Sequence, residues 1–225
     1  MPSISRENYL KTIFHLSQKG TRRVTTTAVS EALSISNPAI SDMAKKMEAK
    51  GWIDYKKYRG MQLTEEGTRQ ALRIIRKHRL WETFLQEVLG YRWEEVHEEA
   101  EKLEHSTSDK LADRLAEFLG HPKTDPHGDL IPTSDGKWPL NNRAGETAIY
   151  SIMRPGHYII SRVEDQDEEF MRFITQIGIM LHKDIRLIAH FDFDHSKSIQ
   201  IDEREVILSA EVSRRIFVTQ STCDE

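Results

Sequence analysis

The sequence predicts a mainly α chain with a small β component: an N-terminal winged helix-turn-helix, a helical middle and a C-terminal β domain. Three observations carry this. Residues 1–70 hold three short helical patterns and then an alternating hairpin. Residues 65–119 hold two long, charged helical patterns. Residues 144–220 hold short strand-like runs after a stretch crowded with Pro and Gly. We expect domains at 1–70, 71–120 and 144–220, with 121–143 as a linker. With 225 residues and 38% hydrophobic composition, the chain has apolar material for one large domain or two small ones.

The elements follow in order. Residues 5–19 place Tyr9, Leu10, Ile13, Phe14 and Leu16 at helical spacing, and Gly20 ends the run. Residues 25–33 form a second short helix, with Val29 and Leu33 four apart. In Ser34-Ile35-Ser36-Asn37-Pro38, Ser36 or Asn37 caps a third helix and Pro38 suits its first turn. That helix runs over 39–50, with Ile40, Met43, Ala44 and Met47 on one face and Gly51 as its stop. Residues 52–56 alternate as a strand, 57–60 turn and 61–64 return; Thr64 then caps the next helix, with Glu66 close behind. Two short helices joined by a tight turn and followed by a hairpin make a winged helix-turn-helix.

Charge is unevenly spread. Residues 1–70 carry 12 Lys/Arg against 7 Asp/Glu, 71–143 carry 11 against 14, and 144–225 carry 9 against 15. The basic end is where a polyanion would dock. The second helix of a helix-turn-helix enters the major groove by its N-terminal residues, here Ser36, Pro38, Ala39, Ser41 and Asp42. Ser and Asp can bond base edges, and Ala39 can touch a thymine methyl. Lys45, Lys46, Lys56 and Arg59 can hold phosphates. The alternative is a winged helix used for protein contacts, its charges merely solvated.

The two long helical patterns, 65–89 and 94–119, carry the chemistry. His78 and Glu82 are one turn apart on the first. On the second, His97, Glu101, Glu104 and His105 fall at about 0°, 40°, −20° and 80° around the axis, so their side chains can converge. Imidazole and carboxylate without thiolate suit Mn(II), Fe(II), Co(II) or Zn(II). The alternative is a plain acidic helix, since Glu94, Glu95, Glu98 and Glu99 make this one negative in any case.

Bulk features narrow the setting. No apolar run approaches the roughly 20 residues of a membrane span, and no basic segment followed by an apolar core opens the chain. The single cysteine, Cys223, excludes an intrachain disulfide and thiolate-rich zinc sites. A cytoplasmic protein is expected.

Four stretches resemble the metal-dependent repressors typified by the diphtheria toxin repressor and the manganese transport regulator: Asn8-Tyr9-Leu10-Lys11-Thr12-Ile13, Met47-Glu48-Ala49-Lys50-Gly51, Arg76-Lys77-His78-Arg79-Leu80-Trp81-Glu82, and Val96-His97-Glu98-Glu99-Ala100-Glu101-Lys102-Leu103-Glu104-His105. The resemblance implies one metal on His78, Glu82 and His97, and a second on Glu101, Glu104, His105 and a residue of the first helix. Glu101 stands where the iron sensors have Cys and the manganese sensors Glu, which points to the manganese branch. Two departures stand out. Asn8 replaces the usual Met or Asp, and Lys11 stands where the manganese regulators use a Glu, so their two-metal arrangement does not transfer whole. Relatives with a third domain carry Cys-Pro-His-Gly, where Cys and His bind metal; here the stretch is Asp125-Pro126-His127-Gly128, making Asp125 and His127 candidates, with an ordinary turn as the alternative.

Beyond the 121–143 stretch, strand-like runs at 147–152, 158–163, 185–191, 198–201 and 205–208, with a helix over 168–177, look like the SH3-like barrel such regulators append. In some relatives that domain donates a metal ligand, and Glu164 and Asp167 are the candidates here; a solvated acidic loop is the alternative. His190, Asp192, Asp194 and His195 are expected at an exposed hairpin tip.

The function this implies is a transcriptional regulator that binds Mn(II), or Fe(II), and as a homodimer represses metal-uptake genes from a palindromic double-stranded DNA operator. It is not expected to be an enzyme or to bind a membrane. Metal would turn the repelling Glu82, Glu101 and Glu104 into struts, and Phe84, Leu85, Leu89, Leu111 and Leu115 are candidates for the dimer face. Two other classes stay open: a helical di-metal enzyme fused to a DNA-binding module, and a metal-independent interaction module.

Overall fold

The computed structural model describes residues 6–18, 23–139, 143, 145–164 and 167–221. Gly20, the Asn pair at 141–142 and Cys223 lie outside the described residues. The first unit is α1 (Arg6–Gln18), α2 (Thr26–Leu33), α3 (Asn37–Ala49) and the antiparallel hairpin β1 (Ile53–Lys56) and β2 (Gly60–Leu63). The Thr25 hydroxyl caps α2 by accepting from the Ala28 amide, and Ser34 in the left-handed region ends it. Ser36 precedes α3 without a side-chain cap, and Pro38 sits in its first turn, where no intrahelical amide is needed. Tyr9, Leu10, Ile13, Val29, Ile40, Ala44, Met47 and Met61 are almost wholly buried together. Each large aliphatic member contributes about 1.5–3 kcal/mol of transfer free energy. Gly60 is required: at φ +80° a Cβ would meet the Val24 carbonyl oxygen at 2.4 Å.

Thr64 caps α4 (Glu65–Glu87) by accepting from the Gly67 amide. The helix expected over 94–119 is in fact two, α5 (Val96–Glu104) and α6 (Asp109–Phe118). The break has one distant cause and one local one. Thr107 accepts from Trp81 Nε1 at 2.7 Å while donating to the Leu103 carbonyl, and the Ser108 hydroxyl caps α6 through the Leu111 amide. The ligand candidates of this stretch, His97, Glu101, Glu104 and His105, lie on α5 or at its end, so the break leaves their convergence intact. It does turn α6 to pack on α4 through Leu80, Ala112, Leu115 and Ile131.

The stretch after α6 is packed rather than extended. Thr124 bridges Leu130, and Asp125, Pro126, His127 and Gly128 are buried. The C-terminal unit is an antiparallel sheet in the order β3-β8-β4-β5-β6-β7, comprising β3 (Thr147–Ala148), β4 (Gly156–Val163), β5 (Asp184–His190), β6 (Lys197–Ile201), β7 (Arg204–Leu208) and β8 (Ile216–Gln220). Irregularities at Ile160/Arg162 and Leu187/Ala189 bend it, as bulges do. It closes over α7 (Glu168–Gln176), with Ile160, Met171, Ile174, Ile199 and Val218 in its core, and α8 (Ala210–Arg214) leads into β8. The expected strand at 147–152 is only two residues long and gives way to a 3-10 turn at Ile149–Ser151. One member of the core comes from far upstream: Trp93, before α5, is 6% exposed and donates from Nε1 to Thr175. Among the described residues no helix is long and apolar enough to cross a membrane.

Candidate metal centre

His78 and Glu82 sit one turn apart on α4, facing His97 in the first turn of α5. His78 Nε2 lies 2.8 Å from Glu82 Oε1 and 3.2 Å from His97 Nδ1, and His97 Nδ1 lies 3.2 Å from the same Glu82 oxygen. Donor atoms held side by side on one ion at ~2.1 Å are themselves ~3 Å apart, so this triangle has the spacing of a metal-ligand set. Glu82 is wholly buried. A carboxylate there is costly unless cations or protons offset it. Burial disfavours the His78 imidazolium, Glu82 favours it, and the net shift is upward. An ion would displace that proton.

A second set shares Glu82. His127 Nδ1 is 3.9 Å from Glu82 Oε2, and Asp125 completes a buried trio whose ligand atoms lie within 4.8 Å of one another. His127 Nε2 donates to the Trp93 carbonyl at 2.8 Å, which fixes the tautomer and leaves Nδ1 as the basic nitrogen facing Glu82. Asp125 accepts from the His127 and Asp129 amides and pairs with Arg79 at 3.3 Å. Burial, with Asp129 and Glu82 close by, pushes its carboxyl up to about 7. Gly128 permits this docking: at φ +87° a Cβ would meet the Ser161 carbonyl oxygen at 2.1 Å.

On the other face of His78, Nδ1 is 2.7 Å from Glu104 Oε2. Lys11 of α1 reaches here, 2.6 Å from Glu101 and 2.9 Å from Glu104. Burial opposes the Lys11 charge, but Glu104 and Glu101 outweigh it and hold the ammonium above its ordinary range. Glu101 is held below its own, burial being outweighed by Lys11. His105, the C-cap of α5, turns to Glu7 at 2.6 Å. Asn8, one turn before Lys11, has its side-chain oxygen buried without a hydrogen-bond partner.

The β-domain candidates separate. Glu164 lines the cavity of about 680 Å³ onto which Lys11, His78, His97 and Glu101 open. Asp167 does not join it: its carboxylate caps α7 through the Phe170 amide and pairs with Arg215 at 3.0 Å, an N-cap signature in Asp167-Glu168-Glu169 that explains the acidic run. His190, the last residue of β5, pairs with Asp192 of the following turn at 3.2 Å, and that segment joins none of the ligand groups found among the described residues.

In the first unit, Ser36, Pro38, Asp42, Lys45 and Lys46 are exposed along α3, while Ala39 and Ser41 are half-buried. Lys45 pairs loosely with Asp42 at 3.7 Å, and Lys56 with Asp54 at 4.0 Å. Arg59 is exposed on the hairpin beside Tyr58, 92% exposed and in the left-handed region. Sequence reasoning passed over Tyr58, the Arg79 bridge to Asp125 and Asp129, and the part played by Trp93. Of these only Tyr58, an aromatic inside a basic turn, carried a local signal.

Three family models match in succession: iron-dependent repressor, N-terminal DNA-binding domain, over 2–61; iron-dependent repressor, metal binding and dimerisation domain, over 64–133; and the FeoA domain over 151–220. A solved structure described as a manganese-dependent transcriptional repressor in complex with manganese superposes with a TM-score of 0.87 at 34% identity, covering 96% of this chain and 100% of that one. The chain belongs to the diphtheria toxin repressor family. Within it, the iron-dependent repressor IdeR of Mycobacterium tuberculosis is 39% identical over 126 residues, 56% of this chain and 54% of that protein. The regulator MntR of Oceanobacillus iheyensis is 34% identical over 126 residues, 56% of this chain and 84% of that protein. The chain thus spans about half the length of the mycobacterial family members it matches.

Proposed function

We propose that this chain is a metal-dependent transcriptional repressor that binds a palindromic operator as a homodimer and controls metal-uptake genes, with Mn(II) as its metal and Fe(II) as the second choice. It acts on DNA and therefore in the cytoplasm. The observation that carries the reading is the buried triangle of His78, Glu82 and His97, clasped to α1 of the winged helix-turn-helix through the adjoining carboxylates. His78, Glu82 and His97 would hold the ion, with Asp125 and His127 on the second side of Glu82 and Glu164 at the cavity mouth. Nitrogen and carboxylate donors without thiolate favour Mn(II) or Fe(II) over softer ions.

A bound ion would supply positive charge to offset Glu82, held by His78 and Glu82 of α4 and His97 of α5, with Asp125 and His127 of the 125–128 turn beside Glu82. This chain's residues convert that into DNA affinity. Ser36, Pro38, Ala39, Ser41 and Asp42 meet the major groove, while Lys45, Lys46, Lys56 and Arg59 take phosphates. Two such helices must sit about 34 Å apart to enter successive grooves, so fixing the units' orientation fixes affinity. Metal and operator then strengthen each other by the same factor. Relatives named as repressors support a regulator rather than an enzyme.

The test is fluorescence anisotropy of chelator-treated protein on DNA from its own promoter and from nearby metal-transporter genes, titrated at fixed salt with Mn(II), anaerobic Fe(II) or Zn(II). A rise in affinity with Mn(II) or Fe(II), reversed by chelator and lost in His97→Ala, is expected. Flat binding, or an unaffected His97→Ala, overturns the assignment.

A further inference from the structure

Lys11 carries an inference that rests on the metal reading above and concerns how many ions the chain takes. The ligand atoms of His78, Glu101 and Glu104 lie within 4.8 Å of one another, a grouping able to hold a cation. Its centre already has one. Lys11 Nζ lies 2.6 Å from Glu101 Oε1, 3.0 and 2.9 Å from the two Glu104 oxygens, and 3.5 Å from His78 Nδ1. The lysine side chain is 12% exposed and that of Glu104 is wholly buried. A divalent ion on those oxygens would sit at ~2.1 Å from them. It and the ammonium would claim the same lone pairs and the same space. Moving the ammonium aside would take a buried charge off two carboxylates, which is strongly unfavourable.

We propose that Lys11 is a built-in cation that replaces one metal ion between Glu101 and Glu104, so that metal is taken only on the Glu82 side of His78. Two consequences follow. Helix α1 is tied to α5 whether or not metal is present, because the charge that joins them is covalently part of α1. The metal response also involves fewer binding events and rises less steeply than it would with both positions open. Asn8 and His105, flanking the lysine, are left without an ion to hold, and His105 instead joins Glu7 at 2.6 Å to Glu104 at 3.3 Å.

The experiment counts Mn(II) per chain by equilibrium dialysis and elemental analysis in the wild type, Lys11→Glu, Glu101→Gln and the double variant, with far-UV circular dichroism as the fold check. Glu101→Gln is expected to keep the wild-type count. Lys11→Glu is expected to bind one more Mn(II) per chain, and the double variant to lose that extra ion. A Glu101→Gln chain that loses an ion, or a folded Lys11→Glu chain with the wild-type count, overturns the lysine assignment alone. Should Lys11→Glu fail to fold, Glu101→Gln decides by itself. A wild type that takes no Mn(II) overturns the metal reading on which this stands.

Discussion

His78 and Glu104 meet at 2.7 Å, Nδ1 to Oε2, and this contact holds the imidazole with Nε2 toward Glu82 and His97. A carboxylate flanks each nitrogen, Glu82 Oε1 lying 2.8 Å from Nε2, so with an ion drawing on Nε2 beside Glu82 and His97, Nδ1 would keep its proton and donate it to Glu104. Glu104 is thus a positioning residue for His78. Glu104→Met is expected to weaken Mn(II) binding about 10-fold or more. Glu104→Gln, which keeps an acceptor oxygen, should recover most of the loss. Competition against a fluorescent chelator measures both, and equal loss in the two variants would mean that charge, not orientation, matters.

The wing makes a separable prediction. Lys56 and Arg59 flank the exposed Tyr58 on the hairpin. Each alanine substitution should weaken operator and random DNA alike and lower the slope of log affinity against log salt by about 1, because one phosphate contact and its released counterion are lost. A salt series by anisotropy reads the slope.

Gly128 lets the 125–128 turn lie against β4, where the His127 carbonyl also accepts from the Val163 amide at 3.0 Å. Gly128→Ala combines a left-handed backbone with a clash on the Ser161 carbonyl. It should cost at least about 1–3 kcal/mol of stability and reduce metal affinity along with it. Urea unfolding with and without Mn(II) checks both.

Asp125 gives the apo protein a pH signature. Its folded carboxyl sits at about 7 against an ordinary 3.8. Between those values the folded chain keeps a proton that the unfolded chain has released, so stability falls as pH rises through the window and levels off above it. Asp125→Asn should flatten that slope in chelator; an unchanged slope would assign it to another group.

The candidate dimer face divides in the structure. Leu85 and Leu115 are spent on the chain's own core, whereas Leu89 and Leu111 are exposed and are joined by Val88 and Phe118, the last 67% exposed. Phe118→Asp is expected to shift the protein toward monomer in sedimentation and to weaken operator binding while leaving the melting temperature of the isolated chain little changed.

Much of this was legible in the sequence, and the reasons differ by element. The winged helix and α4 follow from periodicity and local caps at Thr25 and Thr64, which need no distant partner. That His78 and Glu82 share a face of α4, and His97, Glu101 and Glu104 a face of α5, was legible because helical spacing alone sets it. The break between α5 and α6 was not, since it depends on Trp81 reaching Thr107 from another helix. Asp167 misled because a helix cap and a metal ligand use the same carboxylate chemistry. The 121–143 stretch reads as a linker by composition, yet two of the glycines that suggest this bring it close to its neighbours, Gly128 against the Ser161 carbonyl of β4 and Gly136 against the Arg69 carbonyl of α4.

Trp93 bears on how such a chain could be taken apart. Its ring fills the core of the C-terminal sheet although its backbone belongs to the helical unit, some 50 positions before β3. A sheet excised at 143 would open a ring-sized hole in its interior, and a chain truncated there would present a bare indole to water. The two pieces are therefore poor exchange units: recombination at this junction would succeed only where the incoming sheet also brought a residue to fill the gap, so the sheet and the loop before α5 are expected to be inherited together.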